Sequence, residues 1–210
     1  MKKEKIGVVV AMWEEARPLL TRLGLTDGVL RYERGMFYEK ENIVIGVADV
    51  GVLAAAMCTQ TLIQNFSCTL IINYGTCGST GPALPVGAVV SIDTVFKGDV
   101  DMTLDGFKPY ELPRTPIYLH PQADPAFPAA TCRTTDRFIG AHEEVEANIA
   151  VEMEAYSVAY ICYRLGVPCR IYKVVSDMIR NNVSDSHEHL DNLDEVSEKI
   201  SDHICKMLQK

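Results

Sequence analysis

The sequence is short of basic residues and of every pattern that marks a metal or membrane protein. Lys and Arg number 20 against 28 Asp and Glu, a formal charge of −8. Nucleic-acid binding needs Lys and Arg to neutralise phosphates, and no basic cluster offsets this deficit, which argues against a polyanion as main partner. The seven cysteines (58, 68, 77, 132, 162, 169 and 205) are odd in number and form no CxxC pair. Their spacing argues against a zinc site and a disulfide framework, and reduced thiols point to a cytoplasmic location. No apolar segment approaches the roughly 20 residues of a membrane span. The start, "MKKEKIGVVVAMWEEA", has too short an apolar run before its glutamates for a signal peptide and reads as a first core strand. Also missing is a Gly-Lys-Ser/Thr after the glycine-rich stretch, so there is no Walker loop.

What is present is an alternation of strands and helices. The runs "IGVVVAM" (6–12), "NIVIGVADV" (42–50), "TLIINYG" (69–75) and "CRIYKVVSDM" (169–178) are continuously apolar, as strands covered on both faces are. "GAVVSIDTVF" (87–96) is a fifth candidate, and "MFYEKE" (36–41) a weaker hairpin partner to 42–50. Helices are expected over 14–24, 51–66, 151–166 and 192–210, the first and third stopping at glycines. The proline-rich stretch 109–128 reads as an extended loop. At 210 residues the expectation is one domain, 1–210. Its class is α/β: a three-layer α/β/α fold around a central twisted mixed sheet.

In such sheets ligands bind beyond the carboxyl ends of the strands. Three strand ends deliver acids or small polar groups: Glu14 and Glu15, Asn73 to Gly78, and Ser176–Asp177. "NYGTCGST" (73–80) reads as a glycine-punctuated turn, suited to close approach of a ligand or merely a tight connection. Asp177 could cap a helix or, in a cleft, act as a general acid with a raised pKa. Glu14 and Glu15 could be only the acidic first turn of a helix. "VEMEA" (151–155) places two carboxylates, Glu152 and Glu154, one residue apart. In "SDSHEHLDN" (184–192) His187 and His189, beside Asp185, Glu188 and Asp191, read as a solvated loop cluster, since His-x-His lacks a supporting third ligand elsewhere in the sequence. Asp99 and Asp101 read as loop-ordering acids.

Taken in order, these motifs resemble the nucleoside phosphorylase/nucleosidase superfamily, and within it the bacterial methylthioadenosine/S-adenosylhomocysteine nucleosidases. "IGVVVAMWEEA" is similar to their I-G-x-x-x-A-M-x-E-E, "IINYGTCGST" to I-N-x-G-[ST]-A-G-G, and "DVDMT" to D-A-D-V-T. "VEMEA" and "VVSDM" complete the set. The resemblance runs over 6–107 and 134–180. It implies hydrolysis of the N-glycosidic bond of a purine nucleoside, including 5′-modified ones, with release of the free base and no cofactor. Phosphorolysis and a non-catalytic nucleoside-binding role are the alternatives.

By the same resemblance Asp177 would protonate N7 of the leaving purine and Glu15 would activate the attacking water. Glu154 would bind the ribose hydroxyls, with Met153 against the sugar and Thr76, Cys77 and Gly78 lining its side. Phe138 would stack on the base, while Val174, Val175 and Ser176 would shape the base pocket. Asn73 stands where the family's hexameric phosphorylases carry a phosphate-binding Arg, which favours water as acceptor. The resemblance also implies a homodimer. Three positions depart from the pattern: Asp105 where an aromatic normally reaches across the dimer to the 5′-substituent, Cys77 for Ala, and Lys173 for Arg. Residues 114–150 are shorter than the family's equivalent, as if a strand–helix portion were missing.

Overall fold

A computed structural model describes residues 4–25, 30–32, 35–139, 145–179 and 186–208. Among them nine strands run β1 (Ile6–Val10), β2 (Leu30–Tyr32), β3 (Gly35–Lys40), β4 (Ile43–Val47), β5 (Leu70–Ser79), β6 (Val89–Lys97), β7 (Ala129–Thr134), β8 (Ala150–Glu152) and β9 (Cys169–Met178). The helices are α1 (Trp13–Leu23), α2 (Val52–Gln64), α3 (Ala155–Leu165) and α4 (Ser186–Leu208), with a 3₁₀ turn at Thr103–Asp105.

The strands form one mixed sheet. β4, β1, β5 and β9 are parallel neighbours, the β2–β3 hairpin adds antiparallel to β4, and β6 adds antiparallel to β9. β7 pairs with β6, β8 with β7, and β8 also with β5, so β5 to β9 close on themselves. Alternate residues of the apolar strands feed two layers. Val8 and Val10 pack under α1 and α4 with Leu19, Leu20 and Ile200. Val9 and Ile71 pack under α2 and α3 with Ala55, Leu62 and Val158. This is the expected α/β/α arrangement. Each fully buried leucine of α1 contributes roughly 1.5–3 kcal/mol, which fastens the helix carrying Glu15 to the sheet.

Four expectations are corrected. Residues 73–79 are not a turn: β5 continues to Ser79 because β9 flanks it as far as Met178, with a register shift between Cys77 and Gly78, and β8 pairs at Gly78 and Ser79. The helix expected over 151–166 begins at Ala155, since Ala150–Glu152 pair with Cys132–Thr134 as β8. Of the missing strand–helix portion the strand is present as β7, whereas residues 106–128 contain no helix. The loop read over 184–192 is helical from Ser186, although Asp185 lies outside the described residues. No group of three metal-ligating side chains occurs among the described residues, and none of their helices is long and apolar enough to cross a membrane. All seven cysteines are buried.

Candidate active site

At the carboxyl ends of the parallel strands a cavity of about 240 Å³ is lined by parts of α1, β5, β8, β9 and the segment after β7. Glu15, Glu154 and Asp177 all face it, although they lie far apart in the chain.

Glu15 occupies the first turn of α1 and is 2% exposed. Its Oε1 accepts from the Thr76 N–H at 2.8 Å and the Thr76 hydroxyl at 2.9 Å, and its Oε2 from the Met12 N–H at 3.3 Å. The Tyr74 hydroxyl donates to the Glu15 carbonyl at 3.1 Å. Residue 75 must be small for this: a Cβ at Gly75 would stand 3.1 Å from Oε1 and 3.4 Å from Oε2. Asp177 lies near the end of β9, and Ser176 Oγ donates to its Oδ1 at 2.6 Å. The same hydroxyl reaches the Cys77 carbonyl at 3.2 Å, tying β9 to β5.

The two acids of "VEMEA" have separate tasks. Glu152 faces a buried ammonium, Lys173 Nζ, at 2.8 Å. It also accepts from the backbone N–H groups of Glu154 (2.9 Å) and Ala155 (2.7 Å) and from the Thr134 hydroxyl, and so caps α3. Burial works against its charge, yet Lys173 and these donors hold its carboxyl below the usual carboxylate range. Glu154 instead accepts one N–H, from Gly51 at 2.8 Å. Gly51 heads α2 with φ +106°, a conformation open to glycine and strained for other residues. Burial first, then the charge of Glu152, pushes the Glu154 carboxyl up to about 7, against the opposing pull of Lys173 and the Gly51 N–H.

That shift has a sign. The folded group, titrating at about 7, keeps a proton that the unfolded chain with its value of 4.5 has lost, so stability falls as pH rises through this window. At pH 8 the cost is on the order of 3 kcal/mol. Glu154→Gln is therefore expected to melt several degrees above the wild type at pH 8, with the gap closing below pH 4.5. Thermal denaturation at the two pH values checks this, and equal melting points at pH 8 would refute it.

The remaining expected residues divide. Met153, Thr76, Cys77, Gly78, Phe138 and Ser176 line the cavity, Phe138 at its mouth and 54% exposed. Val174 and Val175 do not: strand alternation sends Val174 into the α1/α4 layer and Val175 into the α2/α3 layer. Asp105 is exposed in the 3₁₀ turn and does not line this cavity. Lys173 and Ile179 line it as well. A lysine inside the apolar run "RIYKVV" was the available signal for the first, since a buried ammonium demands an anion.

The fold and this cavity define a class. Residues 5–210 match the family model of the phosphorylase superfamily, and the chain belongs to that family. A 5′-methylthioadenosine/S-adenosylhomocysteine nucleosidase of Staphylococcus aureus is 28% identical over 207 residues, spanning 87% of this chain and 90% of that protein. The nucleosidase of the same name from Helicobacter pylori, solved with butyl-thio-DADMe-Immucillin-A, superposes with a TM-score of 0.90 at 20% identity, covering 100% and 99% of the two chains. Futalosine hydrolase of Helicobacter pylori gives a TM-score of 0.89 at 20% identity, covering 98% and 97%.

Proposed function

We propose that the protein hydrolyses the N-glycosidic bond of a purine nucleoside, 5′-modified ones included, releasing the free base and the ribose moiety. The observation that carries this is the meeting of Glu15, Glu154 and Asp177 at one cavity. Cleavage of the bond develops positive charge on the sugar ring, which carboxylates beside it stabilise. Asp177 delivers a proton to N7, so the purine departs neutral. Glu15, held by Thr76, takes a proton from the attacking water. Glu154 accepts from the ribose hydroxyls, with Met153 against the sugar and Phe138 over the base. No cofactor enters this scheme.

Water is favoured over phosphate by Asn73. It is 1% exposed and its amide donates to the Val9 carbonyl at 3.0 Å, where phosphate recognition calls for a guanidinium. The relatives named for methylthioadenosine, S-adenosylhomocysteine and futalosine support a 5′-modified substrate. We further infer a cytoplasmic, single-domain protein acting as a homodimer. In that dimer Asp105 would face the neighbouring 5′-substituent, and a carboxylate is a poor wall for a methylthio group.

Free-base release from adenosine, inosine, methylthioadenosine and S-adenosylhomocysteine, with and without phosphate, tests the reading. Release from at least one is expected, at a rate phosphate leaves unchanged. Release from none would refute hydrolysis, and strong stimulation by phosphate would replace it with phosphorolysis.

A further inference from the structure

The buried Lys173–Glu152 pair is more than a structural tie. Nζ and Oε2 stand 2.8 Å apart, with side chains 1% and 3% exposed. Glu152 Oε2 also receives the N–H groups of Glu154 and Ala155, so one carboxylate fixes the backbone of Glu154. Lys173 lies four residues before Asp177 on β9, and the pair thereby joins the strand carrying the acid to the segment carrying Glu154. The ammonium sits among residues lining the cavity, where a lone cation would oppose positive charge developing on the sugar. Pairing with Glu152 cancels that field and leaves the influence of Glu15 and Glu154.

We propose that Lys173 and Glu152 act as a positioning unit for Glu154, fixing where its carboxyl stands and tuning its charge. This rests on the nucleoside-hydrolase reading, in which Glu154 meets the ribose. The charged groups facing Glu154 are Glu152 on β8, Lys173 on β9 and Glu15 on α1, together with the Gly51 N–H ahead of α2. Two of them pull in opposite directions: Glu152 favours the protonated carboxyl and Lys173 the ionised one. Removing each charge must therefore move the titration of Glu154 in opposite senses, whereas simple loosening of the fold would move both alike.

The test is NMR titration of protein carrying ¹³C-labelled glutamate carboxyls, alongside steady-state kinetics. Lys173→Met is expected to raise the Glu154 midpoint by about one pH unit, Glu152→Gln to lower it, and Lys173→Arg to leave it near the wild type. In turnover at pH 7, Lys173→Met should raise KM about tenfold more than it lowers kcat, with Lys173→Arg restoring both. An unpaired buried charge can prevent folding, and the double variant Lys173→Met with Glu152→Gln leaves none. In it the Glu154 and Ala155 N–H groups lose their ionised acceptor, so KM should stay raised, and a wild-type KM would overturn the inference. Midpoints that do not move, or that move the same way in both single variants, would overturn the inference. A wild type that releases no base while its midpoints shift as stated would refute the hydrolase reading alone.

Discussion

Asp177→Asn is expected to lower kcat for base release by about 10²–10⁴-fold, the usual contribution of a positioned general acid. The loss follows from what leaves. A purine expelled without protonation departs as an anion, and the barrier rises by the cost of that charge in a largely apolar cavity. Asparagine keeps the shape of the side chain, and its oxygen still accepts from the Ser176 hydroxyl, which now reaches Oδ1 at 2.6 Å. The β9 register with β5 should therefore survive, and the melting temperature should stay close to that of the wild type. Because the ribose contacts are untouched, KM should change little. An interaction made chiefly in the transition state lowers kcat and kcat/KM together. Chromatographic measurement of free base under saturating substrate checks it, and wild-type turnover would remove Asp177 from the acid role.

Much of this arrangement was legible in the sequence because its strands are covered on both sides. Continuous apolar runs marked β1, β4, β5 and β9, and the acids and small polar residues at their ends marked where the cavity lies. What escaped has local causes. β8 is three residues long and owes its state to Thr134 and Ser79 beside it, so "VEMEAYSV" looks like one unbroken helix. The glycines of "NYGTCGST" suggest a turn, yet β8 and β9 supply pairing partners on either side and keep the strand going. α4 begins among residues whose charges resemble a solvated loop. Val174 and Val175 stay out of the cavity because alternation along β9 commits them to the two core layers.

The second acid of "VEMEA" shows how far a motif alone can go. Sequence places Glu152 and Glu154 together, and the resemblance gives the ribose to Glu154 and leaves Glu152 to anchor a loop or the strand end, but neither says what separates their chemistry. The division comes from partners distant in the chain: Lys173 and Thr134 for Glu152, Gly51 for Glu154. One carboxylate is saturated and ionised, and the other is under-solvated and pushed up to about 7. Two like residues acquire unlike chemistry because their environments separate them.

Glu15→Gln is the companion experiment to Asp177→Asn, with an expected loss of kcat again of about 10²–10⁴-fold. The amide oxygen of glutamine can retain both bonds from Thr76, which fall on Oε1 at 2.8 and 2.9 Å. Its NH₂ then replaces Oε2 and meets the Met12 N–H, donor against donor, at the longest of the three contacts, 3.3 Å. The helix is disturbed little, but the group that would take a proton from water is gone. Leaving-group dependence separates the two variants. A riboside of 4-nitrophenol departs as a stable phenolate and needs no acid, so Asp177→Asn should retain most of its activity toward it. Glu15→Gln should remain slow with that substrate as well, because water still lacks its base. Equal rescue of both variants would show that Glu15 serves the leaving group, and loss of both would show that Asp177 does more than protonate the purine.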